Sequence, residues 1–446
     1  MLLTNKKITF CALAVINLCL IAVYQLQAQA STTSRIRGDG TLIINGKPVF
    51  VIGARAEKLE QVAEVADCGF NLIEGSGEWQ RKHYDKAYKR GLFILAGHYV
   101  WATFAGTKKG INIQAMDGTW GKSASGINNL LKYGKDQSRR TIEKALKEFD
   151  HLPGVIGWKI AEEPRAFLSE IVGRGYEIFK SYNPRHIVSI QHDKWQWFPC
   201  FKYYCDVLEL DVYALRGDKY PIRYAASILE IYDRTKKALE VFNSKAVWFV
   251  AQVQPPSYWK PFNSKEELTL RDYRVQIYAA LTAGAKGVIY YHWNMLRKAK
   301  RKNKKGGGEY IIVNDKVYRE RINIIKKTVK EMHKLGPVIA DGTPNNRLYI
   351  RWVNPGKNGP GLQLTRTIEY NGKQYLFVVN PLDVPVSAYV FGMNYESVPR
   401  AYNGKIFLGK NDLSITTIKP GNLKINIAPR GAGVFAFTRR SIIKKK

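Results

Sequence analysis

Two adjacent carboxylates, Glu162 and Glu163, stand directly after the apolar, β-branched stretch Val155–Ala161 and directly before Pro164. Neighbouring acids raise each other's proton affinity, so one of such a pair can keep its proton near neutral pH. Glycoside cleavage needs a proton donor at the leaving oxygen and a second carboxylate as nucleophile or as base for water. Glu163 reads as the donor, with Glu162 pushing its pKa upward. Asp211, at the end of another apolar run, reads as the second carboxylate, with Glu74 as a weaker candidate. A separation wide enough to admit a water would favour inversion. A structural reading competes: acids at a helix N-terminus favour the dipole, and proline suits the first turn.

Residues able to hold a sugar fall in the segments after the apolar runs. They are Trp101, His192, Tyr213, Gln252, His292 and Trp293, together with Glu74. Of the ten tryptophans, Trp79, Trp101, Trp120, Trp195, Trp197, Trp259 and Trp293 lie in such segments, where exposed rings would stack on the apolar faces of sugars. The seven histidines show no metal-ligand spacing, no Gly-rich phosphate loop follows a strand, and no Gly-x-Ser-x-Gly elbow is present. No metal and no cofactor is expected.

Short apolar strands alternate with amphipathic segments from Gly40 to Leu335, the pattern of βα units around a parallel sheet. Eight strands are predicted: Val49–Ala54, Phe70–Glu74, Leu92–Gly97, Val155–Ala161, Ile187–Gln191, Val207–Val212, Val247–Gln252 and Val288–His292. That number in about 300 residues fits a (β/α)8 TIM barrel, whose active site lies at the C-terminal ends of its strands. Asn45-Gly46 signals a hairpin that would close the barrel bottom. The last barrel helix, Val317–Leu335, is expected to stop at Gly336-Pro337. Beyond it, short strands between turns predict an antiparallel β-sandwich. The expected division is a signal peptide over 1–30, a catalytic barrel over 31–338, and a sandwich with a basic tail over 339–446.

The segment from Trp158 to Pro164 resembles the clan A (β/α)8 glycoside hydrolases, which carry an acid/base glutamate before a proline after strand four. Weaker signals occur in the expected order: Asn45–Pro48, Asp211-Val212-Tyr213, Val247–Gln254, Ala283–Tyr291 and the terminal sandwich. The resemblance implies that Glu163 is the acid/base and that Glu162 occupies a position usually held by asparagine. It also implies a nucleophilic glutamate after strand seven, where this chain has Ala251-Gln252-Val253-Gln254. A glutamine amide cannot form the glycosyl ester. Another carboxylate could serve, the substrate could supply its own nucleophile, or the barrel could bind sugar without cutting it.

The formal net charge of +33 concentrates polyanions around the chain. Seven cations crowd into Arg297–Lys305, after strand eight and therefore on the catalytic face, which points to an acidic polysaccharide or oligosaccharide. A solvated, disordered insertion is the plainer reading of that run. Lys6 and Lys7, the apolar run Ile8–Tyr24 and Ala28-Gln29-Ala30 read as a signal peptide, so an exported protein is expected, with membrane contact only if the segment stays as an anchor. Export and the lack of a recognition fold argue against nucleic acid. Cys68 reads as a small core residue, while Cys200 and Cys205 are either a bridged pair or free.

Overall fold

The computed structural model describes residues 32–97, 135–213, 215, 221–255, 267–302, 308–345, 348–353, 363–392, 402–419 and 422–439. A small antiparallel sheet comes first: β1 (Ser34–Ile36), β2 (Leu42–Ile44) and β3 (Lys47–Val49). Asn45 and Gly46 turn β2 into β3 with φ of 48° and 79°, the left-handed pair that a tight two-residue hairpin requires. Eight parallel strands then close into a barrel: β4 (Val51–Arg55), β5 (Leu72–Glu74), β6 (Phe93–Gly97), β7 (Val155–Glu162), β8 (Ile187–His192), β9 (Val207–Asp211), β10 (Ala246–Gln252) and β11 (Gly287–Tyr291). Each predicted strand has its counterpart, displaced at its ends by no more than a few residues.

The surrounding helices are α1 (Leu59–Asp67), α2 (Arg81–Lys89), α3 (Lys135–Phe149), α4 (Ser169–Tyr182), α5 (Pro221–Val241), α6 (Leu270–Ala283) and α7 (Asp315–Asp341). Their apolar faces bury Val62, Val65, Ile142, Leu146, Ile277 and Val329 against the outside of the barrel. Inside, Leu42 and Ile44 of the hairpin cap a lower layer made by Val51, Leu72, Ile156, Ile187, Trp248 and Ile289. The bottom of the barrel is therefore dry, and its polar side chains gather at the top.

Helix α7 runs through Pro337 to Asp341, past the expected stop at Gly336-Pro337. Proline costs one backbone hydrogen bond. Tertiary contacts compensate: Lys286 donates to the Ile339 carbonyl at 2.9 Å, and Arg37 and Thr41 donate to that of Ala340 at 2.6 and 3.1 Å. The boundary expected after residue 338 thus falls inside a helix.

The C-terminal strands form two packed antiparallel sheets. One contains β14 (Thr343–Pro344), β16 (Leu364–Tyr370), β17 (Lys373–Val379), β19 (Tyr402–Leu408) and β22 (Ala432–Arg439). The other contains β15 (Leu348–Val353), β18 (Val386–Gly392), β20 (Leu413–Lys419) and β21 (Asn422–Ile427). Leu376, Val378, Phe435 and Phe437 meet Ala388, Val390, Ile425 and Ile427 in a core of their own. Barrel and sandwich are joined through α6. Arg274 bridges Glu331 at 2.9 Å and Asp412 at 3.2 Å, and Arg271 reaches Asp412 at 3.0 Å. Asp412→Ala is expected to lower stability by roughly 2–3 kcal/mol, below the cost of a fully orphaned buried charge because Arg274 keeps Glu331. Chemical denaturation checks this, and an unchanged midpoint would show that the joint carries no net energy.

Candidate active site

Side chains alternate along a strand, so Ser189 and Gln191 on β8 share the inner face, as do Glu209 and Asp211 on β9. With Glu74 from β5 and Lys159 from β7 they fill the upper barrel, and Glu74, Lys159, Ser189, Gln191 and Glu209 are all fully buried. The Lys159 ammonium lies 2.6 Å from Glu74 Oε1 and 3.1 Å from Glu209 Oε2. It also donates to Gln191 Oε1. Ser189 Oγ donates to Glu209 at 2.7 Å, and Gln191 Nε2 donates to Asp211 Oδ2 at 2.5 Å.

A second cation, Arg55 from β4, sits above Glu74 and donates to Glu162 at 2.5 Å. The Tyr291 hydroxyl from β11 donates to the other Glu162 oxygen at 2.9 Å, and the Arg55 guanidinium lies over the Tyr291 ring. Arg55 and Lys159 thus face Glu74, Glu209 and Glu162. Burial, reinforced by Glu209, pushes the Glu74 carboxyl up, against the pull of Lys159 and Arg55.

Glu163 ends this construction. Its φ of 44° is unusual for a residue with a Cβ and turns the chain sharply out of β7. Its amide donates to the Gln191 carbonyl at 2.9 Å. Solvent reaches the residue, yet its carboxyl is pushed up to about 7, first by desolvation and then by Asp193 and Glu162. A group so poised can donate a proton at neutral pH.

Asp211 is only 3% exposed. Burial and the charge of Glu163 drive it well above the usual carboxylate range, against the hydrogen bonds from Gln191 and Tyr213. A carboxyl raised and enclosed in this way is poorly suited, as it stands, to the general-base role expected from sequence.

The remaining expected residues divide. Tyr213 stands beside Asp211 and Tyr291, within the site. Gln252 is fully buried, its amide oxygen accepting from Leu215 N and its nitrogen donating to the Leu215 and Gln254 carbonyls, so it braces backbone. His192 is fully buried, donating Nε2–H to the Pro164 carbonyl and accepting from Lys194 N. It steadies the turn that carries Glu163. His292 bonds Glu57 at 2.7 Å and Asn294 N at 3.2 Å, a network at the rim. Trp293 is buried under α1 and donates to Glu64, and Trp79 is buried likewise. Trp195 is 43% exposed and Trp197 is half-buried over Arg165. Trp101, Trp120 and Trp259 lie outside the described residues. Cys200 is exposed and Cys205 buried, both free, and Cys68 is buried.

Sequence reasoning missed Lys159, Glu209 and Tyr291. The signal was present for two of them. Glu209 and Asp211 alternate with leucines in Val207–Asp211, and Lys159 is a lone charge in an apolar strand. Both patterns mark inward positions near a barrel mouth.

The high proton affinity of Glu163 has a thermodynamic consequence. Between its ordinary value of 4.5 and about 7 the unfolded chain releases this proton first, so the group's contribution to stability falls as pH rises through that window. Solvent screening limits the size of the effect. Stability curves of the parent and Glu163→Gln should diverge from about pH 4.5 to about pH 7, in favour of the variant, and run parallel outside that window. Parallel curves throughout would mean that the carboxyl is not perturbed.

No protein-family profile and no curated protein matches the chain. Solved structures do. A glycoside hydrolase aligns with a TM-score of 0.55 at 13% identity, covering 91% of this chain and 96% of its own. A glycoside hydrolase family 5 structure from Bacteroides vulgatus gives 0.57 at 14%, covering 91% and 93%. An alpha-amylase from Geobacillus thermoleovorans, complexed with acarbose, gives 0.54 at 11%, covering 91% and 100%. Similarity at this level concerns the fold alone: a closed (β/α)8 barrel followed by a β-sandwich, here with glutamine at the end of the seventh barrel strand.

Proposed function

We propose that the protein is a glycosidase that hydrolyses O-glycosidic bonds of a polysaccharide or oligosaccharide, with Glu163 as general acid. The observation that carries this reading is a solvent-reached carboxyl raised to about 7 on a left-handed residue at the C-terminal end of β7. It stands beside a second carboxylate, Glu162, fixed by Arg55 and Tyr291. The fold shared with glycoside hydrolases supports the reading. Glu162 keeps 21% side-chain exposure, so it can face the positive charge that develops on the sugar ring. Asp211, with Tyr213 beside it, would act as base only after losing its proton, and in the protonated state it is a hydrogen-bond donor to the sugar. The usual strand-seven nucleophile is absent. Export through the N-terminal segment belongs to the same proposal. Among the described residues no helix is long and apolar enough to cross a membrane.

A second reading, a barrel that binds sugar without cutting it, draws on one observation. The carboxylates accompanying Glu163 are either ion-paired, as Glu162 is, or enclosed, as Asp211 is.

Reducing-end release across neutral, uronic and sulfated polysaccharides decides between the two. The glycosidase reading expects release by the parent and a loss of about 10²–10⁴-fold in Glu163→Gln. Full activity in Glu163→Gln would remove the assignment of the acid. Binding without release by the parent would establish the second reading.

A further inference from the structure

From Lys298 on, the described part of the basic run after β11 is a strand and not the disordered insertion that its composition suggests; residues 303–305 lie outside the described residues. Lys298–Lys302 and Gly308–Ile312 pair as an antiparallel ribbon, β12 and β13, with Lys298 opposite Ile312 and Lys300 opposite Tyr310. A ribbon of two strands is marginal by itself. This one is rooted by Arg321, which donates to the Leu296 and Lys298 carbonyls at 2.7 and 3.0 Å and is held by Glu267 at 2.7 Å. Arg297, at its base, is occupied by the Tyr318 ring and by Glu64 and Asp315. The ribbon leaves the barrel just beyond Tyr291, whose hydroxyl holds Glu162, so it rises on the face that carries Glu163.

Three observations bear on its use. Tyr310 is 53% and Ile312 69% exposed, and they are alternate residues on one side of the ribbon. The Lys298 ammonium lies 5.9 Å from the centre of the Tyr310 ring. Among the described residues at the mouth, Arg55 and Lys194 are already paired with Glu162 and Asp193, which leaves the ribbon as a place where a negative charge on the substrate can be met. An exposed aromatic ring with the Lys298 ammonium beside it matches a sugar unit with an apolar ring face and an acidic substituent. We propose that the β12–β13 ribbon is a docking subsite for an anionic polysaccharide, which it holds beside the Glu163 cleft. This rests on the glycosidase reading and adds the charge class of the substrate.

The test uses the full chain and titrates polygalacturonate, a sulfated galactan, a neutral galactomannan, duplex DNA and phosphatidylglycerol vesicles. Lys298→Ser/Lys300→Ser/Lys302→Ser is compared with Lys82→Ser/Lys89→Ser/Lys147→Ser, which removes the same charge from exposed positions on α2 and α3. The ribbon triple variant should weaken one of the acidic polymers at least about tenfold and flatten its salt dependence, while the control triple changes it about twofold or less. Tyr310→Ala should weaken the same polymer. Equal losses in the two triple variants would overturn the proposal, because diffuse charge would then account for binding. So would tighter binding of galactomannan, DNA or vesicles than of either acidic polymer. Ribbon-dependent binding without hydrolysis would leave this subsite standing and remove the catalytic reading alone.

Discussion

The upper half of the barrel is organised by one buried ammonium. Lys159 is fully enclosed and touches side chains from β5, β8 and β9 while belonging to β7. Carrying a lysine and two glutamates out of water costs several kcal/mol per ion, and the mutual attraction of the charges offsets that only when the hydrogen bonding is nearly complete. Ser189 and Gln191 supply part of that completion. An apolar layer could have filled the same space, as it does in the lower half. Retaining charge there is explained better by what the charge holds in place at the mouth than by stability.

Two arms lead from this cluster to the surface. Through Gln191, Lys159 fixes the position of Asp211. Through Glu74, the cluster meets Arg55, which holds Glu162 together with Tyr291. Both arms end in carboxyl groups that are committed to partners. Glu163 differs in being open to solvent, with its backbone held by Gln191 and its turn by His192. The functional proposal depends on that contrast between committed and uncommitted acids, and strand seven has no part in it because Gln252 is engaged with backbone.

Much of this was legible in the sequence, for reasons of periodicity. The barrel strands are short apolar runs alternating with amphipathic segments, and the sandwich strands lie between turns, so their existence followed from pattern. Glu163, Glu162, Asp211 and Tyr213 were singled out because carboxylates and aromatics at strand ends lie near the mouth of such a barrel, and the structure places them close to one another there. Trp293 and Gln252 were misread as sugar contacts because sequence position places a residue near the mouth without showing its direction. Trp293 turns outward beneath α1, and Gln252 turns to the backbone of Leu215. Helix α7 passed its proline because Lys286, Arg37 and Thr41, distant in sequence, bond its terminal carbonyls. The basic run became a ribbon because its partner strand carries Tyr310, Ile311 and Ile312, a pattern obscured by the lysines before it.

The central claim is that Glu163 is an acid whose carboxyl is raised by desolvation and by its acidic neighbours Asp193 and Glu162. The direct measurement is the titration of the Glu163 side chain by carbon-detected NMR in the parent and in Asp193→Asn. Asp193 raises the proton affinity of Glu163, so removing its charge should move the midpoint downward from about 7. A parental midpoint at the ordinary value of 4.5, or one that Asp193→Asn leaves unchanged in a folded variant, would contradict the account.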